Sequence, residues 1–269
     1  MRATVFRTAA FGVVASLTLL PTDNEAGDRC VGSSSGHFHI RVDGVELVEL
    51  MQLRETMSRV LHTLSVKHLA FREAPTIFLF GDRSNYEAMA GTGTFRSIGR
   101  AYRSDVYLLA PSIWQNACWL VDDRVHDVVL HELLHVIADQ SIESSGGGSA
   151  RIPLWFNEGF AEYFVDAIEH GRRQRLIDLP ERIADLTLDP ILDWETLTQA
   201  DDHLAYSLAV AAVAMLIDWY GRDLPFRIFA LMRSGEAFDR AFREETGITV
   251  REFSGRFSEA AYSVVVCAD

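Results

Sequence analysis

The apolar positions of the chain change period several times, and each change predicts an element. From Gly36 to Val42 the residues G-H-F-H-I-R-V alternate, which predicts a strand with His37 and His39 on one solvated face. Between Val45 and Phe71, apolar residues at Val45, Leu47, Val48, Met51, Leu53, Met57, Val60, Leu61, Leu64 and Leu69 keep a helical period, leaving His62 and His68 at the surface. Pro75 to Phe80 (P-T-I-F-L-F) is a short apolar run closed by Gly81-Asp82 and reads as a buried strand. A short helix is expected over Arg83 to Ala90, an irregular loop over Gly91 to Gly99, and one strand over Tyr102 to Leu109, before Pro111. From Val121 to Gln140 no Pro or Gly interrupts a nearly continuous apolar run, so this stretch reads as a buried helix. Beyond Phe164 the pattern is helical: Leu204 to Tyr220, ended by Gly221 as a C′ glycine, then shorter helices over Leu224 to Met232, Ala237 to Glu244 and Val250 to Ala261. Together these elements predict an α+β fold, with a small mixed-sheet lobe followed by a mainly helical C-terminal lobe.

Composition narrows this picture without changing it. The 269 residues, 48% of them hydrophobic, allow one large domain or two small lobes around a real core. The division expected is 27–120 as the mainly α/β lobe and 121–269 as the helical one. A net charge of −13 argues against nucleic acid or an anionic membrane surface as the main partner. At the N-terminus, Arg2 and Arg7 precede an uncharged run from Thr8 to Leu20, the layout of a secretory signal, too short for a full membrane span. Residues 1–26 are therefore expected to be a signal peptide or an uncleaved N-terminal membrane anchor, and the protein to be exported. Cys30, Cys118 and Cys267 fit an exported chain with at most one disulfide, a Cys30–Cys267 staple among the pairings left open. No C-x-x-C spacing supports a cysteine zinc site or a redox motif.

The chemistry concentrates between Val128 and Phe164. His131-Glu132-Leu133-Leu134-His135 has the form H-E-x-x-H within the expected buried helix. Residues one turn apart share a face, with Cβ atoms about 5–6 Å apart, so both imidazoles can reach one metal ion, and Zn²⁺ suits them. Glu132 projects beside such an ion rather than onto it, where a base for an activated water belongs. Two histidines and a glutamate in a buried helix are costly unless paired or ligated, which weighs against two merely satisfied core histidines. A catalytic zinc site usually takes three protein ligands, and Glu158 on the following segment can supply the third. Glu162, one turn further, is placed to accept the other ring N–H of a ligand histidine. Trp155, Phe156, Phe160 and Phe164 around these acids argue for a buried helix rather than a solvated face.

H-E-L-L-H followed by P-L-W-F-N-E-G-F-A-E-Y-F resembles the gluzincin metallopeptidases, which include thermolysin and the zinc aminopeptidases, and most of all the short peptidase-MA-like domains. The resemblance spans Ile77 to Phe257, strongly at the two motifs and loosely elsewhere. It implies a zinc peptidase acting on a peptide or protein substrate in a cleft at the H-E-x-x-H helix. His131, His135 and Glu158 would be its metal ligands, Glu132 its general base and Glu162 the acid behind a ligand histidine. It also implies an oxyanion donor, with Tyr206 matching a tyrosine of related domains and His203 the alternative, and an edge strand in the Gly99–Leu109 region beside the substrate. His126 and His170 are lesser candidates for such a role. The gap between the motifs is a few residues longer than in thermolysin-like enzymes, and the Ser/Gly-rich Ser141–Ala150 can absorb it. An exported domain that holds zinc without catalysis stays open as the second reading. Oligomeric state, substrate preference and endo- versus exo-cleavage are not encoded in any motif.

Overall fold

Five short strands form one mixed sheet in a computed structural model of the chain, which describes residues 29–32, 38–91, 97–114, 124–143, 151–165, 167 and 189–266. The strands are β1 (Arg29–Gly32), β2 (His39–Asp43), β3 (Thr76–Phe80), β4 (Gly99–Tyr102) and β5 (Asp105–Leu109), in the spatial order β1-β2-β3-β5-β4. The β2–β3 and β3–β5 pairs are parallel; β1 on β2 and β4 on β5 are antiparallel. The helices are α1 (Leu47–Val66), α2 (Arg83–Ala90), α3 (Pro111–Trp114), α4 (Arg124–Ile142), α5 (Leu154–Val165), α6 (Trp194–Ala200), α7 (Asp202–Tyr220), α8 (Leu224–Arg233), α9 (Phe238–Thr246) and α10 (Val250–Val266). The fold is therefore α+β, with a mainly helical C-terminal region. The expectations for residues 1–26, His37, Cys118, His170, Cys267 and most of the Ser141–Ala150 loop fall outside the described residues.

Alternation does what it should in the sheet. Ile40, Ile77 and Val106 pair into one cross-strand row that ends on Ala101, and Val42, Leu79 and Leu108 into another that ends on Gly99. Six of these residues are almost fully buried and belong to the main core together with Leu53, Met57, Val60 and Leu64 of α1. On the other face Phe78 stacks on Tyr107 at 5.1 Å, and Phe80, Leu109, Tyr86 and Trp114 make a smaller cluster. Where one strand was expected over Tyr102 to Leu109, the chain makes a hairpin: Arg103 takes a left-handed φ of 57° and the strand folds back, so β4 becomes the sheet edge and β5 an interior strand. The Arg-Ser turn carries no glycine or asparagine, which is why the pattern hides it.

Helix α4 lies against α1, β4 and β5 on one side and against α5 and α8 on the other. Leu130, Leu133, Leu134, Val136 and Ala138 are fully buried, accounting for the apolar run that predicted it. Polar contacts fix its register against the sheet. Buried Gln140 accepts from the Arg72 and Glu73 amides at 2.7 and 3.2 Å and donates to the Glu73 carbonyl and Ser104 Oγ at 3.0 and 2.9 Å. The preceding residue, Asp139, accepts the Arg103 amide through Oδ2 at 3.0 Å, so the hairpin turn is tied to α4. In the helical region Phe156, Phe160 and Phe229 interlock edge to face at 5.3 to 6.1 Å. Helix α7 is the one helix among the described residues apolar and long enough to cross a membrane, and half of its apolar window is buried inside the fold.

Candidate metal centre

Two helices build the centre. α4 presents His131 and His135 one turn apart, with ring centroids 4.6 Å apart and nearly perpendicular planes. α5 presents Glu158. Its Oε2 lies 3.3 Å from the Nε2 of each imidazole, and those two nitrogens are 3.0 Å from each other. Around a tetrahedral zinc with bonds of about 2.0–2.2 Å, ligand atoms stand about 3.3–3.5 Å apart, so the triangle is close to the size such an ion requires. The chemistry of the atoms agrees. Glu158 Oε2 is buried and no hydrogen-bond donor reaches it, and two imidazole nitrogens crowd the same point. A cation shared by the three atoms satisfies all of them at once. His131, His135 and Glu158 can therefore hold a metal ion, and among the described residues no other group of His, Cys, Asp and Glu does so.

The remaining predicted residues gather around this triangle. Glu162 Oε1 lies 3.3 Å from His131 Nδ1, on the far side of the ring from Glu158, where it fixes the ring's orientation. Glu132 is buried beside the two imidazoles, with the Ala101 amide of β4 near its carboxylate. Tyr206, on the first turns of α7, packs on Trp194 at 5.8 Å and lies within electrostatic reach of Glu158, Glu132 and Glu162. His203, its alternative, is exposed on the same helix, and His62 and His68 are exposed on or just past α1. His126 sits 3.9 Å from Asp127 and stays outside the metal group. β4 lies at the sheet edge beside α4, where the edge strand was expected.

The electrostatics follow from burial and from these neighbours. Burial pushes the Glu132 carboxyl above its usual range, the nearby imidazoles opposing. Burial would also raise Glu158, but the flanking His135 and His131 overcome it and hold the carboxyl well below the usual range. For His131, burial lowers the imidazole, yet the facing Glu158 and Glu162 outweigh it and hold the ring well above its ordinary value. His135 is raised in the same way, burial opposing and Glu158 dominating. Burial, then the three carboxylates, drives the Tyr206 hydroxyl strongly upward, so it stays protonated and able to donate.

One residue of the second motif acquires its reason only in three dimensions. Gly159 lets α5 approach α7 closely: a Cβ there would stand 2.4 Å from the Ala209 carbonyl oxygen and 2.7 Å from Val213 Cγ2. That approach sets Glu158 and Tyr206, on the two helices, against one site. Replacing Gly159 with alanine forces backbone apart rather than a flexible side chain, so we expect a loss of about 1–3 kcal/mol, typical of overpacking, or more. A Gly159→Ala protein with the wild-type urea midpoint would contradict this packing. No family model matches the chain, and no curated protein matches it.

Proposed function

We propose that this chain is a zinc-dependent metallopeptidase of the gluzincin kind. The observation that carries the reading is the convergence of His131 Nε2, His135 Nε2 and Glu158 Oε2 at 3.0 to 3.3 Å, with the Glu132 carboxylate buried beside them. Among the described residues no fourth protein ligand joins the three, which suits a catalytic centre better than a structural one. A purely structural site also has no use for a carboxylate beside the metal. When bound, zinc supplies Lewis-acid chemistry, polarising a carbonyl and bringing the pKa of a water from 15.7 to about 7.

The protein's own groups do the rest. Glu132, beside the Ala101 amide, takes the proton of the attacking water and delivers it to the leaving amine of the cleaved peptide bond. Glu162 keeps the His131 ring in its ligating orientation. Tyr206, protonated throughout, donates to the oxyanion that develops at the attacked carbonyl. Removing that donor as Tyr206→Phe should lower kcat about 10²–10³-fold with KM and zinc content near wild type. Wild-type kcat in the phenylalanine variant would remove Tyr206 from this role. The reading as a whole is tested by zinc-dependent cleavage of a mixed peptide library, followed by mass spectrometry. Cleavage that is lost with chelator and restored by zinc supports it; a zinc-loaded protein that leaves every peptide intact contradicts it and favours the non-catalytic domain.

A further inference from the structure

The base of the proposed reaction sits in a notch cut by a residue far from it in sequence. Gly99, on the edge strand β4, has no side chain, and the Glu132 side chain occupies the space one would take. A Cβ on Gly99 would stand 2.7 Å from Glu132 Oε1, 2.9 Å from Cγ and 3.0 Å from Cδ. The backbone there is not left-handed, so nothing in its conformation demands glycine; the three nearest atoms that a Cβ would meet all belong to Glu132. Two residues on, the Ala101 amide lies near the same carboxylate, so one strand supplies both the space and a polar neighbour.

The notch is itself braced. Ser97 Oγ donates to the Gly99 carbonyl at 2.8 Å and is hydrogen-bonded to the hydroxyl of Tyr86, which is fully buried. Arg83 donates to the Ser97 carbonyl at 3.2 Å, and the Arg100 side chain to the Ala90 carbonyl, fixing β4 to α2 on either side of Gly99. These contacts hold β4 in place against α2.

We propose that Gly99 is the positioning residue of Glu132, its missing side chain and the neighbouring Ala101 amide setting where the carboxylate stands beside the metal ligands. The consequence for rate rests on Glu132 being the base, as read above. Gly99→Ala should leave one zinc per chain bound and KM within about twofold, while kcat falls about 10²-fold, the loss typical of a displacement near 1 Å. A merely structural role would not be confined to Glu132, so a double-variant cycle is read on the thermal unfolding midpoint of the zinc-loaded protein. Gly99→Ala should lower the midpoint in the wild-type background and not in Glu132→Ala, where the crowded atoms are gone. If Gly99→Ala alone fails to fold, a folded double variant supports the proposal and an unfolded one overturns it. Additive midpoints, or an unchanged kcat, overturn it. Should the wild type cleave no peptide, the peptidase reading falls, and the unfolding cycle still decides whether Gly99 sets the place of Glu132.

Discussion

Glu132→Gln is expected to keep its metal and lose its turnover. Glutamine has nearly the shape of glutamate, so it fits the notch at Gly99 and can turn its carbonyl oxygen toward the Ala101 amide. It cannot take a proton from water. Because Glu132 lies outside the three-atom ligand triangle, the metal site is left intact. General-base catalysis contributes about 10²–10⁴-fold, and kcat should fall by at least that range while bound zinc stays near one per chain. The wild type and variant are compared on the same peptide, with metal content measured on the same samples. Full activity in the glutamine variant would refute the assigned mechanism. Loss of metal would instead move Glu132 into the ligand set.

The second large effect concerns stability through the metal. Glu158 is the candidate ligand that α5 brings to α4, so an ion bound there would tie two helices together. An ion that binds the folded state alone stabilises it by about 2.7 kcal/mol when present at 100 times its dissociation constant. Glu158→Ala removes one of three ligands, a larger loss than the 10–100-fold in affinity expected from disturbing a ligand's outer partner. We therefore expect chelator to lower the wild-type unfolding temperature clearly and to leave that of Glu158→Ala where it was. In the metal-free state Glu158→Ala also loses the 3.3 Å contacts of Glu158 with His131 and His135, so the quantity compared is the chelator shift within each protein. Equal chelator shifts in the two proteins would mean that the ion binds elsewhere.

The two motif helices were legible because several independent signals agree on them. An apolar run without Gly or Pro marks α4, and the aromatic residues around Glu158 and Glu162 mark α5. That Glu162 would meet a ligand histidine was legible too, because the helical period places both carboxylates of α5 on one face; that the histidine is His131 comes from the structure. The hairpin of β4 and β5 was not: the left-handed turn position is held by Arg103, with no glycine or asparagine to mark it, so the polar Arg103-Ser104-Asp105 was not recognised as a turn. β1, four residues of R-C-V-G, and the short α3 and α6 are too brief to show a period. Contacts between residues distant in sequence were the hardest to read. The glycine of N-E-G could be matched as a motif, but its cause is the Ala209 carbonyl of another helix. Gly99 looked like the end of a loop, because its partner Glu132 reaches it only once β4 has become the sheet edge against α4.

A metal held by His131, His135 and Glu158 is the claim from which the proposed chemistry follows, and metal content tests it most directly. Wild type and Glu158→Ala are purified without chelator, supplied with zinc, freed of excess and measured by plasma mass spectrometry. About one zinc per wild-type chain, lost in the variant, is the result predicted by a site of two imidazoles, one carboxylate and an open position. No zinc in either protein would contradict the metal centre and, with it, the peptidase.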